Sequence, residues 1–135
     1  LVIVIGLFGV QTHDERIYLT TDEVRALAWV EANTPPDALI LASPEMGAFI
    51  PANTGRRVIY GHPFETINAE VEKNAVEQFF SGNFDDTTAE DFLISKGVSV
   101  ILFGPREQSL GPLPSVNSVS EMQQIGDVLI LGVNR

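Results

Sequence analysis

The stretch Ala38-Leu39-Ile40-Leu41-Ala42-Ser43-Pro44-Glu45 joins an uninterrupted apolar run directly to a helix start. A continuous apolar run of this kind predicts a central strand that is buried on both faces. Serine as the N-cap residue and proline at the first helical position predict that a helix begins at Ser43. We expect this helix to be short, because Pro51 follows and should close it. A strand that leads into a helix is typical of α/β folds.

Two more apolar runs downstream repeat this pattern of a strand followed by a polar break. Val58-Ile59-Tyr60 runs into Gly61-His62-Pro63, and the run from Val98 to Phe103 ends at Gly104-Pro105-Arg106-Glu107. Each run predicts a strand, and each break predicts a turn at the carboxyl end of that strand.

Three longer helices are predicted around these strands from capping residues and apolar periodicity. Thr20 and Glu23 have the spacing of a capping box, and Thr87 and Glu90 repeat it. Between these two starts, a helix from about Thr66 to Phe80 places apolar residues every four positions on one face. The residues of that face are Ile67, Val71, Ala75 and Phe79. Gly97 stands where a left-handed C-cap would end the last helix.

The C-terminal part predicts a β-hairpin. Its arms lie near Val116 to Gln123 and Val128 to Val133, with a turn at Gly126-Asp127. The order of helices and strands predicts an α/β fold, namely a three-layer, mostly parallel, Rossmann-like sheet with helices on both faces. The hairpin should add antiparallel strands at one edge of this sheet.

The 135 residues fit one domain. We expect residues 20–135 to form a single α/β domain and residues 1–19 to be an apolar lead-in. Leu1 to Val10 is nearly all apolar, but a bilayer span takes about 20 residues. This segment is either a buried strand or the end of a membrane span. In the second case the chain, which begins with leucine, would be part of a longer protein.

Charge and cysteine content exclude several classes of function. The net charge is −10, from 8 basic and 18 acidic residues. Such a surface repels phosphate backbones, so we predict no nucleic-acid partner, and it disfavours docking on anionic lipid headgroups. The chain has no cysteine, which excludes disulfides, thiolate metal sites and cysteine nucleophiles.

Polar residues follow the three predicted strands at their carboxyl ends, where open α/β sheets bind ligands. If the strands are parallel, these residues lie along one rim. We take them as candidate ligand-binding residues: Ser43, Glu45, His62, Glu65, Arg106 and Glu107.

Two interpretations of this rim remain open. In the first, the rim is a small pocket in which Arg106 binds a carboxylate or a sugar hydroxyl and His62 acts as an acid, a base or a hydrogen-bond donor. In the second, these groups satisfy one another. Arg106 then pairs with Glu45 or Glu65, and His62 caps a backbone carbonyl, so that the loops are held in place.

We assign no catalytic residue, no metal site and no cofactor. Ser43 does not lie in a G-x-S-x-G elbow, and Gly6-Leu7-Phe8-Gly9 lacks the spacing of a dinucleotide-binding loop. His62 and Glu65 have the spacing of two metal ligands, but a third ligand would have to come from Glu45 or Glu107.

Several short motifs of the sequence, taken together, indicate a resemblance to a known family. They are Asp22-Glu23-Val24, Ala28-Trp29-Val30, Asn33 to Ala38, Pro51 to Arg57, Gly61 to Thr66 and Phe103 to Glu107. The W-x-x-x-N-T-P-x-D-A phrase from Trp29 to Ala38 is the most specific of them. From about Thr20 to its end, the chain resembles the C-terminal extracytoplasmic domain of polytopic bacterial membrane proteins. Those proteins are similar to glycosyltransferases of the dolichyl-phosphate-mannose (GT-C) type.

This resemblance implies a non-catalytic, accessory role at the extracytoplasmic face of a bacterial cell membrane, within an integral membrane protein. In that family the catalytic acids lie between membrane helices, so no catalytic residue is carried over to this chain. The implied partners are the transmembrane portion of the same parent protein and a sugar or lipid-linked sugar. The alternative is a small stand-alone ligand-binding module or enzyme that uses the polar rim.

Overall fold

The computed structural model describes residues 18–134. The two interpretations of Leu1 to Val10, and the glycine-containing segment within it, lie outside the described residues. The helices are α1 (Thr21–Asn33), α2 (Pro44–Gly47), α3 (Ile50–Thr54), α4 (Ala69–Phe80), α5 (Asp86–Lys96) and α6 (Pro105–Gln108). The strands are β1 (Leu39–Leu41), β2 (Arg57–Val58), β3 (Val100–Phe103), β4 (Val119–Ile125) and β5 (Val128–Val133).

The strands form one mixed sheet in the order β2-β1-β3-β5-β4. β1 pairs in parallel with both β2 and β3, whereas β5 pairs antiparallel with β3 and β4. The α/β class, the parallel direction of the first three strands and the antiparallel hairpin at one edge are confirmed. The description "mostly parallel" is correct only for the β2-β1-β3 end, because β5 pairs directly with β3 and makes the other end antiparallel.

The central part of the sheet is covered by apolar side chains on both faces. Alternate residues of β1 point to opposite sides: Ile40 packs with one buried cluster, and Leu39 and Leu41 pack with the other. The Ile40 cluster contains the buried side chains of α1, and the Leu41 cluster contains those of α4 and α5. This burial explains why the sequences of β1 and β3 are continuously apolar rather than alternating.

Most predicted helix starts and stops are confirmed. Thr20 and Glu23 form a reciprocal capping box at α1, and Ser43 caps α2 with Pro44 at the first helical position. Gly97 caps α5 with φ 75°, a left-handed conformation that favours glycine. The start predicted for α5 is wrong. Asp85 is the cap, because its carboxylate accepts from the backbone N–H of Thr88 at 2.7 Å.

Three predictions between β1 and α4 are also wrong. Pro51 does not close α2; it lies in the first turn of α3, where its missing N–H leaves no helical bond unmade. β2 ends at Val58. The helix α4 begins at Ala69 rather than Thr66, because Asn68 has φ 56° and interrupts the helical backbone.

The apolar face predicted for α4 is correct only at its C-terminal end. Phe79 is fully buried and Ala75 is partly buried, whereas Val71 is exposed. Ile67 lies before the helix and is also exposed.

Candidate functional site

The carboxyl ends of β1 and β3 bring four of the six candidate residues together. β1 leads into Ser43 and Glu45 at the start of α2, and β3 leads through Gly104 into Arg106 and Glu107 of α6. These two strands are parallel neighbours, so their exits lie on the same edge of the sheet.

Glu107 connects the two strand exits. One carboxylate oxygen accepts from the backbone N–H of Ser43 and the other from that of Gly104, each at 2.8 Å. Burial raises the pKa of Glu107 above its ordinary value, although these hydrogen bonds oppose the shift. Both oxygens of Glu107 are therefore used to hold the backbone of the loops.

Arg106 is the centre of a buried ion network. Its Nε donates to Glu23 at 2.7 Å, and one terminal nitrogen donates to Glu45 at 3.1 Å. The other terminal nitrogen donates to the Tyr18 carbonyl at 2.6 Å and to the second oxygen of Glu23 at 3.2 Å. Its guanidinium also lies 5.7 Å from the ring centre of Phe49. One residue thus joins the start of α1, the start of α2 and the exit of β3.

The charge state of Arg106 follows from these contacts. The Arg106 and Glu23 side chains are each only 4% exposed. Burial alone would lower the pKa of Arg106, but the hydrogen bonds and charges of Glu23 and Glu45 outweigh it and raise the pKa above its ordinary value. The guanidinium therefore stays charged, and it is fixed by carboxylates that belong to the chain itself.

His62 and Glu65 lie apart from this network. Both are exposed, and both line an open cleft of about 710 Å³ beside β2 and α3. The ring Nδ1 of His62 accepts from the backbone N–H of Phe64 at 3.2 Å, so it holds a turn rather than capping a carbonyl. The structure therefore divides the six candidates between two places.

A smaller cavity of about 220 Å³ borders the ion network. It is lined by three of the candidates and by residues of α4 and of the segment directly after α6 that sequence reasoning missed. The lining residues are Ser43, Pro44, Glu45, Lys73, Glu77, Arg106, Ser109 and Leu110. Lys73 and Glu77 are spaced as neighbours on one helix face, which the sequence does reveal. Their approach to Glu45 depends on the tertiary packing of α4, and the sequence does not reveal this packing.

The sequence predicts only a capping role for Glu23, although this residue is also a main part of the ion network. Its Oε1, the oxygen that also accepts from the terminal nitrogen of Arg106, accepts from the backbone N–H of Thr20 at 2.8 Å, as a capping box requires. The same carboxylate also pairs with Arg106, which lies 83 positions further along the chain. Nothing local in the sequence marks this second contact.

Within residues 18–134, no group of three or more histidine, aspartate or glutamate side chains is arranged to hold a metal ion. In the same part of the chain, no helix is long and apolar enough to cross a bilayer.

Comparison with known proteins gives a likeness of fold. No protein-family model and no curated protein matches the sequence. Among solved structures, the chain is similar to the C-terminal globular domain of an oligosaccharyltransferase from Archaeoglobus fulgidus. The TM-score is 0.64 at 14% sequence identity, over 86% of this chain and 99% of that domain. The described chain therefore has the fold of that C-terminal globular domain.

Proposed function

We propose that this chain is a non-catalytic, accessory domain of a glycosyltransferase-like membrane protein. It would lie at the extracytoplasmic face of the membrane, a bacterial one as the sequence resemblance implies, and pack against the transmembrane portion of the same parent protein. Its fold would be a three-layer variant of the Rossmann-like type. The observation that carries the proposal is the fold shared with the C-terminal globular domain of an oligosaccharyltransferase.

The ion network supports an accessory role. Glu107 accepts two backbone hydrogen bonds, and Arg106 is held by two carboxylates and a carbonyl. Groups held in this way stabilise loops. They are poorly placed to bind or transfer a proton to a substrate, because their partners would first have to be displaced. This is the second interpretation of the rim, with Glu23 as an additional partner.

The experiment uses the full-length protein that contains this chain, in membrane vesicles, and follows sugar transfer from a lipid-linked donor. His62→Ala and Glu65→Gln remove two exposed acid–base groups of the rim. Loss of a catalytic acid or base lowers rates by about 10²–10⁴-fold, so we expect either change to lower transfer by less than about tenfold. A loss of about a hundredfold or more would contradict the non-catalytic role. A full-length protein that transfers no sugar would contradict the glycosyltransferase assignment.

The small cavity favours a second candidate function, the binding of a neutral polyhydroxylated ligand such as a sugar. Lys73 and Glu77 have no ion-pair partner within residues 18–134, and only one oxygen of Glu45 is engaged. The cavity therefore offers both hydrogen-bond donors and acceptors. Its volume of about 220 Å³ is of the size of a single sugar ring.

Titration of the isotope-labelled chain with a panel of neutral hexoses tests this candidate by NMR. Binding should shift the amide signals of Lys73, Glu77 and Ser109, and Lys73→Ala should abolish the shifts. Lys96→Ala is the control, because Lys96 is paired with Glu72 and does not line the cavity. Spectra that do not change at millimolar hexose would remove this second function.

A further inference from the structure

Three large apolar side chains stand in solvent within one short segment between β2 and the first turn of α4. Phe64 is 90% exposed, Ile67 is 85% exposed and Val71 is 66% exposed. Scattered exposed apolar residues are ordinary, whereas a cluster of them marks an interaction site, and these three lie within eight positions of sequence. We call these three residues the apolar segment.

The turn that presents Phe64 is built by specific hydrogen bonds. The hydroxyl of Thr66 accepts from the backbone N–H groups of Gly61 and His62, each at 3.3 Å. The carbonyl of His62 accepts from the N–H of Thr66 at 3.0 Å. The ring of His62 accepts from the N–H of Phe64 and also contacts its ring, with centroids 5.6 Å apart. The backbone that carries the exposed aromatic ring is therefore held by hydrogen bonds within the turn.

The base of this turn is anchored to the body of the domain. A Cβ added at Gly47 would overlap the carbonyl oxygen of Tyr60, and one added at Gly61 would lie 3.0 Å from the carbonyl oxygen of Gly47. Two glycines thus allow the end of α2 and the turn to touch backbone to backbone. A fixed turn loses little conformational entropy when its exposed side chain binds a partner.

The acidic residues of the apolar segment indicate which kind of partner it can contact. Glu65 and Glu70 lie between the apolar residues in sequence, and neither has an ion-pair partner in the described part of the chain. Together with a net charge of −10, these carboxylates oppose contact with anionic lipid headgroups and with a second copy of the chain. The complementary surface is an apolar pocket bordered by lysine or arginine.

We propose that the apolar segment docks into such a pocket on the transmembrane portion of the parent protein, with Phe64 as the anchor and with Glu65 and Glu70 facing the basic border. The inference rests on the proposed accessory function and adds to it the contact surface and the chemistry of the partner. Aromatic side chains that fill a pocket are the usual hot spots of protein interfaces.

Site-specific photo-crosslinking tests the contact in the full-length protein in its own membranes. A benzophenone amino acid replaces Phe64 in one variant and Ile94 in a matched control. Ile94 is also apolar and is 51% exposed, but it lies on α5. We expect position 64 to crosslink to a segment of the same parent polypeptide outside this chain, identified by mass spectrometry, and position 94 to give no such product.

Charge reversal tests the basic border of the pocket. Glu70→Lys should lower the crosslink yield from position 64 several-fold, because it places a like charge against that border. Glu121→Lys is the matched control; Glu121 is an exposed acid on β4 and should leave the yield unchanged. Equal yields in the two variants would overturn the charge complementarity.

The remaining outcomes separate this inference from the proposed function. Crosslinks to lipid, or between two copies of the chain, would overturn the docking inference. Position 64 without any product, in a protein that still transfers sugar, would overturn the docking surface and leave the accessory function standing. Crosslinks to the parent polypeptide without any sugar transfer would support the docking surface and remove the glycosyltransferase assignment.

Discussion

Arg106 and Glu23 are the two buried charges whose loss the fold should tolerate least. A charge left in the interior without its partner costs several kcal/mol, whereas an exposed ion pair contributes little. Glu23 is held by Arg106 and by the backbone of Thr20 at once. Removal of Arg106 would leave the Glu23 carboxylate buried, with only the hydrogen bond from the backbone N–H of Thr20.

We therefore expect Arg106→Ala to lower the free energy of unfolding by about 3–5 kcal/mol in urea titrations. Arg25→Ala is the control, because Arg25 makes a 3.6 Å pair with Asp22 at a side chain that is 65% exposed. Its loss should change stability by less than about 1 kcal/mol. If both variants unfold at the wild-type urea concentration, the network does not stabilise the fold as described.

Glu107 should give the stability of the chain a specific pH dependence. Burial raises its pKa in the folded state above the ordinary value of 4.5. In the folded state the carboxyl group of Glu107 therefore keeps its proton to higher pH than in the unfolded state. The contribution of Glu107 to the free energy of unfolding is fully present below pH 4.5 and is lost as pH rises through the folded-state pKa of Glu107.

The stability of wild type relative to Glu107→Gln should accordingly decrease as pH rises above 4.5. Urea unfolding of both proteins at several pH values measures this difference, and the carboxyl signal of Glu107 in NMR gives its pKa directly. A difference that grows with rising pH would show that the hydrogen bonds from Ser43 and Gly104 outweigh burial.

At the residue scale, the sequence predicts the local contacts but only some of the distant ones. The capping box of Thr20 and Glu23 is visible because both partners lie within four positions. The sequence predicts that Arg106 pairs with Glu45 or with Glu65, and the structure shows the pair with Glu45, which follows the neighbouring strand. The sequence does not predict the pairing of Arg106 with Glu23, because this contact depends on how α1 packs across the end of the sheet.

Among the elements, the contact between α2 and the turn after β2 depends on Gly47. Its backbone lies so close to the carbonyl of Tyr60 that no side chain fits. Gly47→Ala should push the two apart and lower stability by about 1–3 kcal/mol, the usual effect of overpacking. Ala48→Ser, at the exposed neighbouring position, should change it by no more than about 0.5 kcal/mol. Thermal unfolding of both variants provides the comparison, and equal transition temperatures would contradict this close approach.

The strands and most caps could be predicted because their signals are local and strong. The start of α4 could not, since the four-residue apolar spacing continues through Ile67 and Asn68 interrupts it with a left-handed backbone. Periodicity predicts a helical face but does not reveal whether that face packs against the core. Ile67 and Val71 satisfied the period and nevertheless stand in solvent.

For the whole molecule, the sequence predicts that strand exits share an edge but not which side chains reach one another. The parallel strands did bring Ser43, Glu45, Arg106 and Glu107 together. His62 and Glu65 follow β2, which ends earlier than predicted, and the turn after it faces a separate cleft. Buried charges hold the loops of this domain, and we propose that its exposed apolar segment contacts a partner.

Sugar transfer by the full-length protein in membranes tests that account most directly. The surface variant Phe64→Ser with Ile67→Ser is compared with Ile94→Ser combined with Met122→Ser, which changes exposed apolar residues elsewhere on the domain. We expect transfer to fall about tenfold or more in the first variant, as loss of an aromatic anchor usually does to an interface, and to stay at the wild-type rate in the second. Wild-type transfer in both variants, or the same loss in both, would contradict a role exerted through this surface.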